Sequence, residues 1–237
     1  MIKLLVPLLL VVAYAVVMTW VASWRLRREL DARSEPLDDP HLEAIVRRLG
    51  RAVGVGHLKA HVFDQPAFNG LAAPDGRIFV TRGVLEKYRR GAVTAEEVGS
   101  IIAHELGHVA LGHSRRRQID WAGQNALRWG LMMLIGRFVP IAGVWVGNLV
   151  ASLVAAKLSR RDEFEADAFA AALMRKAGVK PAAQVSMFRK LGQMAQPPGG
   201  FVWLASHPPL PDRIAAVEAL HARWDSGEAT PKVSSPE

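Results

Sequence analysis

Two histidines and a glutamate lie inside the apolar stretch "VGSIIAHELGHVALG", residues 98–112, and no other feature limits so strongly what this chain can fold into. Ile101, Ile102, Leu106, Val109 and Ala110 surround them, so the helix they form is bound for an interior. A buried polar group without a partner costs about 1–3 kcal/mol, so the fold has to bring something that neutralises and orients this group. The start of the helix is marked by Thr94-Ala95-Glu96-Glu97, a capping box in which the Thr94 hydroxyl and the Glu97 carboxylate satisfy each other's backbone N–H. At 3.6 residues per turn, His104 and His108 project from one face a turn apart, with Glu105 beside them. Two neutral imidazoles so placed can bind one metal ion, and Glu105 can stand next to it as a base rather than on it as a ligand. A lone histidine is usually a satisfied core residue; the pair, in this surrounding, points to a metal.

Such an ion needs a third protein ligand. His113 is the near candidate, but the extended metzincin pattern requires Gly and His three and six residues after the second histidine, where Leu111 and Ser114 stand. On a continued helix His113 also falls on the opposite face from His104. The expectation is that Gly112 stops the helix and His113 faces its negative dipole end. The better source is "LSRRDEFEADAFAAALMRKAG", residues 158–178, which is predicted to be a helix. Glu163 and Asp167 share a face there, so that one carboxylate can ligate while the other accepts the outer N–H of a ligating imidazole. Asp162, about 140° around the helix from Asp167, is expected to point away from the site. The plainer alternative is a solvated acidic face, with Glu163 or Glu165 paired to Arg160 or Arg161.

"AHELGHVALGHS", then "SRRDEFEADAFAAALM", then "SHPPLPDRI", together resemble the M48 family of zinc metallopeptidases, which includes the membrane-bound heat-shock protease HtpX, the CAAX prenyl protease and a mitochondrial protease. The family's third-ligand block, S-R-x-x-E-(F/Y)-x-A-D, matches residues 159–167 position by position, and the resemblance runs from about Leu58 to Ile214. It implies His104, His108 and Glu163 as ligands of one Zn2+ per chain, Glu105 as the general base, and Asp167 as the outer partner of a ligating histidine. It also implies His207, in His207-Pro208, as an oxyanion donor and Arg213 as a residue close to the substrate; a turn before the next helix is an equal reading of "SHPP". "FNGLAAPDGRIFVTRGVLE" resembles the strand and turn before the family's motif helix, where Asn-Ala is more usual than Asn69-Gly70. That departure bears on how a substrate backbone, with Asn69 as a contact, pairs along the strand edge.

The rest of the chain frames this domain. Residues 4–24, "LLVPLLLVVAYAVVMTWVASW", carry no charge over about the length that crosses a bilayer core, and Trp20 and Trp24 stand where interfacial aromatics do. A membrane anchor over residues 1–25 is the natural reading; a cleaved secretory signal, leading to a periplasmic or secreted product, competes with it. Arg25, Arg27, Arg28 and Arg33 oppose translocation and place the domain on the cytoplasmic side of a single-pass protein. Ser34 to Pro40 reads as a polar linker, "HLEAIVRRLGRAVG" as an amphipathic helix, and 58–64 and 76–82 as short strands with a further strand between them. The apolar segment 121–157 is interrupted by Arg128, Arg137, Pro140 and Asn148. It is too short for two crossings, and is expected to pack over the site or dip into the interface, with Arg115-Arg116-Arg117 facing lipid phosphates.

The expected fold is therefore α+β, mainly α: a zincin-like metallopeptidase domain over residues 36–224 with a small sheet, preceded by the anchor and followed by a disordered tail, 225–237. The chain has no cysteine, which excludes disulfides, thiolate metal sites and a nucleophilic Cys. Its net charge of +8 fits an anionic membrane surface; nucleic acid is not expected, because no recognition motif or aromatic platform accompanies the arginines. The expected partners are a protein or peptide substrate and the lipid bilayer, with the oligomeric state left open. The enzyme expected is a zinc endopeptidase. A silent membrane adaptor retaining the fold is the alternative, and the presence of every expected ligand and of the base counts against it.

Overall fold

The computed structural model describes residues 2–56, 58–73, 75–113, 116, 140–194, 210–230 and 233. Their helices are α1 (Ile2–Ala32), α2 (Pro40–Val53), α3 (Arg82–Arg89), α4 (Ala95–Ala110), α5 (Pro140–Lys176), α6 (Ala182–Met194) and α7 (Leu210–Asp225), and their strands β1 (Ser34–Pro36), β2 (Ala60–Phe63), β3 (Gly70–Ala72) and β4 (Ile78–Thr81). The fold is α+β and mainly helical, with one four-stranded mixed sheet in the order β1-β2-β4-β3. β2 pairs parallel with β4, while β1 on β2 and β3 on β4 are antiparallel.

Alternation along the strands explains how the sheet is buried on both faces. Val62, Ile78 and Val80 point into the main core with Leu42, Ile45, Val46 and Leu49 of α2 and Val98, Ile101 and Ile102 of α4, as period-2 side chains do. Phe63 and Phe79 point the other way, into a smaller cluster with Leu30 and Ala73. Leu30 belongs to the end of α1, which thus runs past the predicted anchor and docks on the sheet. Arg77 fixes the same corner through Asp31 at 2.7 Å, and Arg33 donates to the Asp64 carbonyl at 2.6 Å. β1 lies inside the segment expected to be a linker. Its three residues carry no strand pattern of their own and are ordered by pairing with β2.

Among the described residues no helix is long and apolar enough to cross a membrane; the side chains of residues 2–12, about half of the uncharged run, lie outside the described set. Farther along α1, Tyr14, Val17, Met18, Trp20 and Trp24 are exposed. Of the segment 121–157, residues 121–139 lie outside the description, and 140–157 form the first half of α5. In the expected tail, Val233 is buried and its carbonyl accepts from Lys176 Nζ at 3.1 Å.

The caps set the helices in place. Asp39 caps α2 by accepting from the His41 and Leu42 amides, and Pro40 occupies a first-turn position where its missing N–H is no loss. At α4 the capping box forms as expected: Thr94 Oγ1 accepts from the Glu97 amide at 3.2 Å and Glu97 Oε2 from the Thr94 amide at 2.7 Å. Glu97 also accepts from Ser186 and Lys190 of α6, so one carboxylate both starts α4 and docks its neighbour. α4 is the centre of the domain, with α2, α3, α5, α6, β3 and β4 packed around it. It meets the backbone of α5 directly, where a Cβ at Gly107 would stand 2.9 Å from the Ala166 carbonyl oxygen and 3.0 Å from its Cα.

Gly107→Ala should therefore destabilise the protein despite the better helix propensity of alanine, by about 1–3 kcal/mol as over-packed cores do. Gly192→Ala is the matched control. Its added methyl would meet Leu210 at an ordinary 3.6 Å, and the change should be neutral or stabilising by up to about 1 kcal/mol. Urea unfolding of both variants measures the difference.

Candidate active site

Packing α5 onto α4 at Gly107 places Glu163 and Asp167, one turn apart on α5, opposite His104 and His108, one turn apart on α4. His104 Nε2 and His108 Nε2 are 3.1 Å apart, and the Glu163 oxygens are 3.4 Å from each of them. All three residues are buried, Glu163 completely. Two ring nitrogens so close repel each other unless a proton or a cation stands between their lone pairs. Each ring nitrogen faces a different Glu163 oxygen, and these separations are near the ligand–ligand spacing of about 3.3 Å in a tetrahedral ion with bonds of about 2.0–2.1 Å. Two imidazoles and a carboxylate, without thiolate, also form a donor set that suits zinc. Glu105, next to His104 on α4, is 5% exposed, and its Oε1 is buried without a hydrogen-bond partner among the described residues. A carboxylate oxygen left so beside the donor triangle is placed to act on something held there.

The outer nitrogens of both imidazoles are engaged. His104 Nδ1 donates to Asp167 Oδ1 at 2.9 Å. Asp167 in turn accepts two bonds from Arg213 of α7, at 2.6 and 2.7 Å, and Arg213 Nη1 lies 3.3 Å from Glu163. The guanidinium is 1% exposed and covers the Phe188 ring at 4.8 Å. His108 Nδ1 lies 2.8 Å from His113 Nδ1, and His113 Nε2 lies 3.3 Å from Glu165 Oε2.

The charges follow from these contacts. Burial opposes a charged His104, yet its bonds to Asp167 and Glu163 outweigh this and hold the imidazole up to about 9. Burial lowers His108 and His113, favouring their neutral forms. Burial would raise Asp167, but Arg213 and His104 keep it below the usual carboxylate value. Glu165 is pulled down to about 2 against its burial by Arg161, Arg116 and His113.

Of the residues singled out in the sequence, the structure brings His104, Glu105, His108, Glu163, Asp167 and Arg213 together. Arg213, expected near substrate, is buried against the carboxylates of Glu163 and Asp167 and spent on them. Asn69 sits at the start of β3, where its side chain accepts from the adjacent Gly70 amide at 3.0 Å and its backbone pairs with Thr81. It reaches the site only through Gly70, whose added Cβ would lie 3.3 Å from Glu105 Cγ. His207 lies outside the described residues. Asp162 is not in the His104, His108 and Glu163 group but in a second one, 2% exposed, 3.2 Å from Arg116 and 3.9 Å from His113. His113, expected at the helix end after Gly112, is there fully buried: Gly112, at φ +65°, ends the helix and the ring lies against His108. The signal for this was in the sequence: the face argument holds only while the helix continues, and Gly112 ends it. Arg116, expected toward lipid, instead donates to Asp162 and Glu165.

Comparison with known proteins agrees with this arrangement. Metalloprotease LoiP of Escherichia coli is 31% identical over 155 residues, which cover 65% of this chain and 60% of that protein. A protease HtpX homolog of Verminephrobacter eiseniae is 29% identical over 85% of this chain and 78% of its own length, and protease HtpX of Pseudomonas aeruginosa is 28% identical over 84% and 79%. The sequence pattern of peptidase family M48 matches residues 36–221, most of the chain, and this protein belongs to that family of metalloproteases.

Proposed function

We propose that this protein is a zinc-dependent endopeptidase that hydrolyses peptide bonds of membrane or misfolded proteins, with His104, His108 and Glu163 holding one zinc ion per chain. The observation that carries this reading is the buried donor group: two ring nitrogens 3.1 Å apart, each 3.4 Å from one oxygen of the same carboxylate, close enough together to share one metal ion. When bound, zinc supplies Lewis acidity that polarises the scissile carbonyl and eases ionisation of water. Glu105 takes the proton of the attacking water and passes it to the leaving amine, and its buried Oε1 is the atom for that transfer. Asp167 holds His104 with its Nε2 lone pair turned to the ion, and Arg213 keeps Asp167 ionised. β3 is an edge strand beside Glu105, so an extended peptide can pair along it with its scissile bond near the base.

The domain spans residues 36–224 in this reading, and residues 1–25 are its membrane anchor. The uncharged run 4–24 and the exposed Tyr14, Trp20 and Trp24 support the anchor, and the arginines after Trp24 support a cytoplasmic domain. A reporter fused after Arg33 tests the side: activity of an export-dependent phosphatase there would place the domain across the membrane instead.

Glu105→Gln should bind one zinc and fold as the wild type does but lose casein degradation, since the residue carries protons and is not a ligand. Glu163→Ala should lose zinc from the purified protein, because one of three protein ligands is gone. A Glu105→Gln protein with less than one zinc per chain, or an active Glu163→Ala protein, would contradict the roles given to them.

The protonation of the metal-free site gives a second check. His104, raised to about 9, contributes stability that is fully present below its unfolded value of about 6.5 and lost as pH rises through about 9. His108, lowered by burial, works in the other direction, its contribution being lost as pH falls below about 6.5. The metal-free protein should therefore melt highest near neutrality and its Tm should fall toward pH 9. With zinc bound in place of the His104 proton, that alkaline fall should flatten. Thermal melts in chelator and in zinc from pH 6 to 9.5 would show both.

A further inference from the structure

The two ligating imidazoles are held from behind by different means. Asp167 accepts directly from His104, but His108 meets a second histidine. On the zinc reading above, on which this inference rests, Nε2 of His108 is the atom in the donor triangle and must present a lone pair. Its proton is then on Nδ1, and at 2.8 Å that N–H donates to His113 Nδ1. His113 Nδ1 must accordingly be a lone pair, so its proton is on Nε2, directed at Glu165 Oε2 3.3 Å away. The chain of bonds has a single allowed direction, from ligand to histidine to carboxylate, and it ends on a group that can only accept. We propose that His113 is the positioning residue of His108, fixing its tautomer and ring plane for the metal, with Glu165 and Arg116 holding His113 in turn.

Local structure makes this arm possible. Gly112 adopts φ +65°, a left-handed conformation that side chains resist, and the reversal carries His113 back beneath the ring it supports. The rings stand 5.0 Å apart at 69°, and His113 has no exposure. Arg161 Nε holds Glu165 Oε1 at 2.7 Å, which leaves Oε2 for His113 and Arg116.

His113, Asp162 and Glu165 are also close enough together to hold an ion of their own. Arg116 decides against that role. Its Nη1 donates to Asp162 Oδ1 at 3.2 Å and to Glu165 Oε2 at 3.0 Å, so a guanidinium already stands as the cation of this cluster. The arrangement parallels the other arm, where Arg213 backs Asp167: each imidazole leads to a carboxylate and each carboxylate to an arginine. Outer partners of this kind orient a ligand and raise its basicity, and their loss weakens metal binding by about 10- to 100-fold.

The test is zinc affinity, by competition with a chromophoric chelator, of the full chain. Wild type should bind one zinc; a wild type that binds none would refute the zinc reading itself, before the role of His113 arises. His113→Phe keeps a buried ring without an acceptor and should bind zinc about 10- to 100-fold more weakly. His113→Asn, whose Oδ1 falls near the place of Nδ1, should stay within a few fold of wild type. Glu165→Ala changes a partly exposed residue at the far end of the arm and should weaken zinc by about threefold or more, in a protein whose helical circular dichroism matches wild type. Phe or Ala variants with wild-type affinity would overturn the proposal. So would an Asn variant as weak as Phe, since the ring's packing and not its acceptor would then matter. A second zinc per chain that Glu165→Ala removes would overturn it too, because the cluster would then be a metal site.

Discussion

Glu163 is a carboxylate with no exposure in a helical core, within 3.4 Å of two imidazoles that are themselves buried. Moving one such charge out of water costs several kcal/mol even after relaxation, so an isolated Glu163 would unfold the domain or stay protonated. It is tolerated because positive charge converges on it: Arg213 from behind, and either the His104 proton or a zinc ion in front. Much of the domain can be read as the apparatus that brings these charges together. α5 must approach α4 to backbone distance at Gly107, and α7 must be close enough for Arg213 to reach across both carboxylates.

This convergence explains why an arginine near the C-terminal end of the domain is almost inaccessible. Arg213 is separated from Glu163 and Asp167 by fifty and forty-six residues, yet all five of its donors belong to a group that cannot lose its proton. A lysine there could share only one compact charge; the planar fork addresses both oxygens of Asp167 and also Glu163. Phe188 supplies the floor on which the guanidinium stacks, and Gln184, also on α6, donates to the Asp167 carbonyl at 3.1 Å. Through these contacts α6 and α7 act on the site from behind the carboxylates.

Those parts of the fold that depend on local chemistry could be read from the sequence. The capping box at Thr94 and Glu97, the shared face of His104 and His108, and the pairing of Glu163 with Asp167 on one stripe all follow from helical spacing. The strands 60–63 and 78–81 follow from their apolar residues. What could not be read depends on partners far along the chain. β1 is a strand because β2 lies next to it, and Leu30 is buried because Phe63 and Phe79 turn away from the main core. Asp162 shows where the helical wheel stops: the angle from Asp167 was sound, but the face it points to is itself covered by the returning His113 and Arg116. A wheel gives direction and not what stands in that direction.

The pair Asn69-Gly70 shows how a departure from the family's habit can be explained by a neighbour. An alanine at residue 70 would put its Cβ 2.6 Å from Ile101 Cγ2, a separation that side chains do not adopt, and Ile101 is itself part of the core packed between α4 and the sheet. The space that an alanine methyl would need is here filled from the helix, by Ile101. The same close approach puts the start of β3 against the stem of Glu105, 3.3 Å from a Cβ at Gly70. Strand edge and base are therefore positioned by one contact. A peptide that paired along β3, as proposed, would take its register from the same backbone that meets Glu105, so packing and not a flexible loop sets the distance between the strand and that carboxylate. Asn69 contributes by closing its own turn onto the Gly70 amide, which holds the entry to the strand in the conformation that this contact requires.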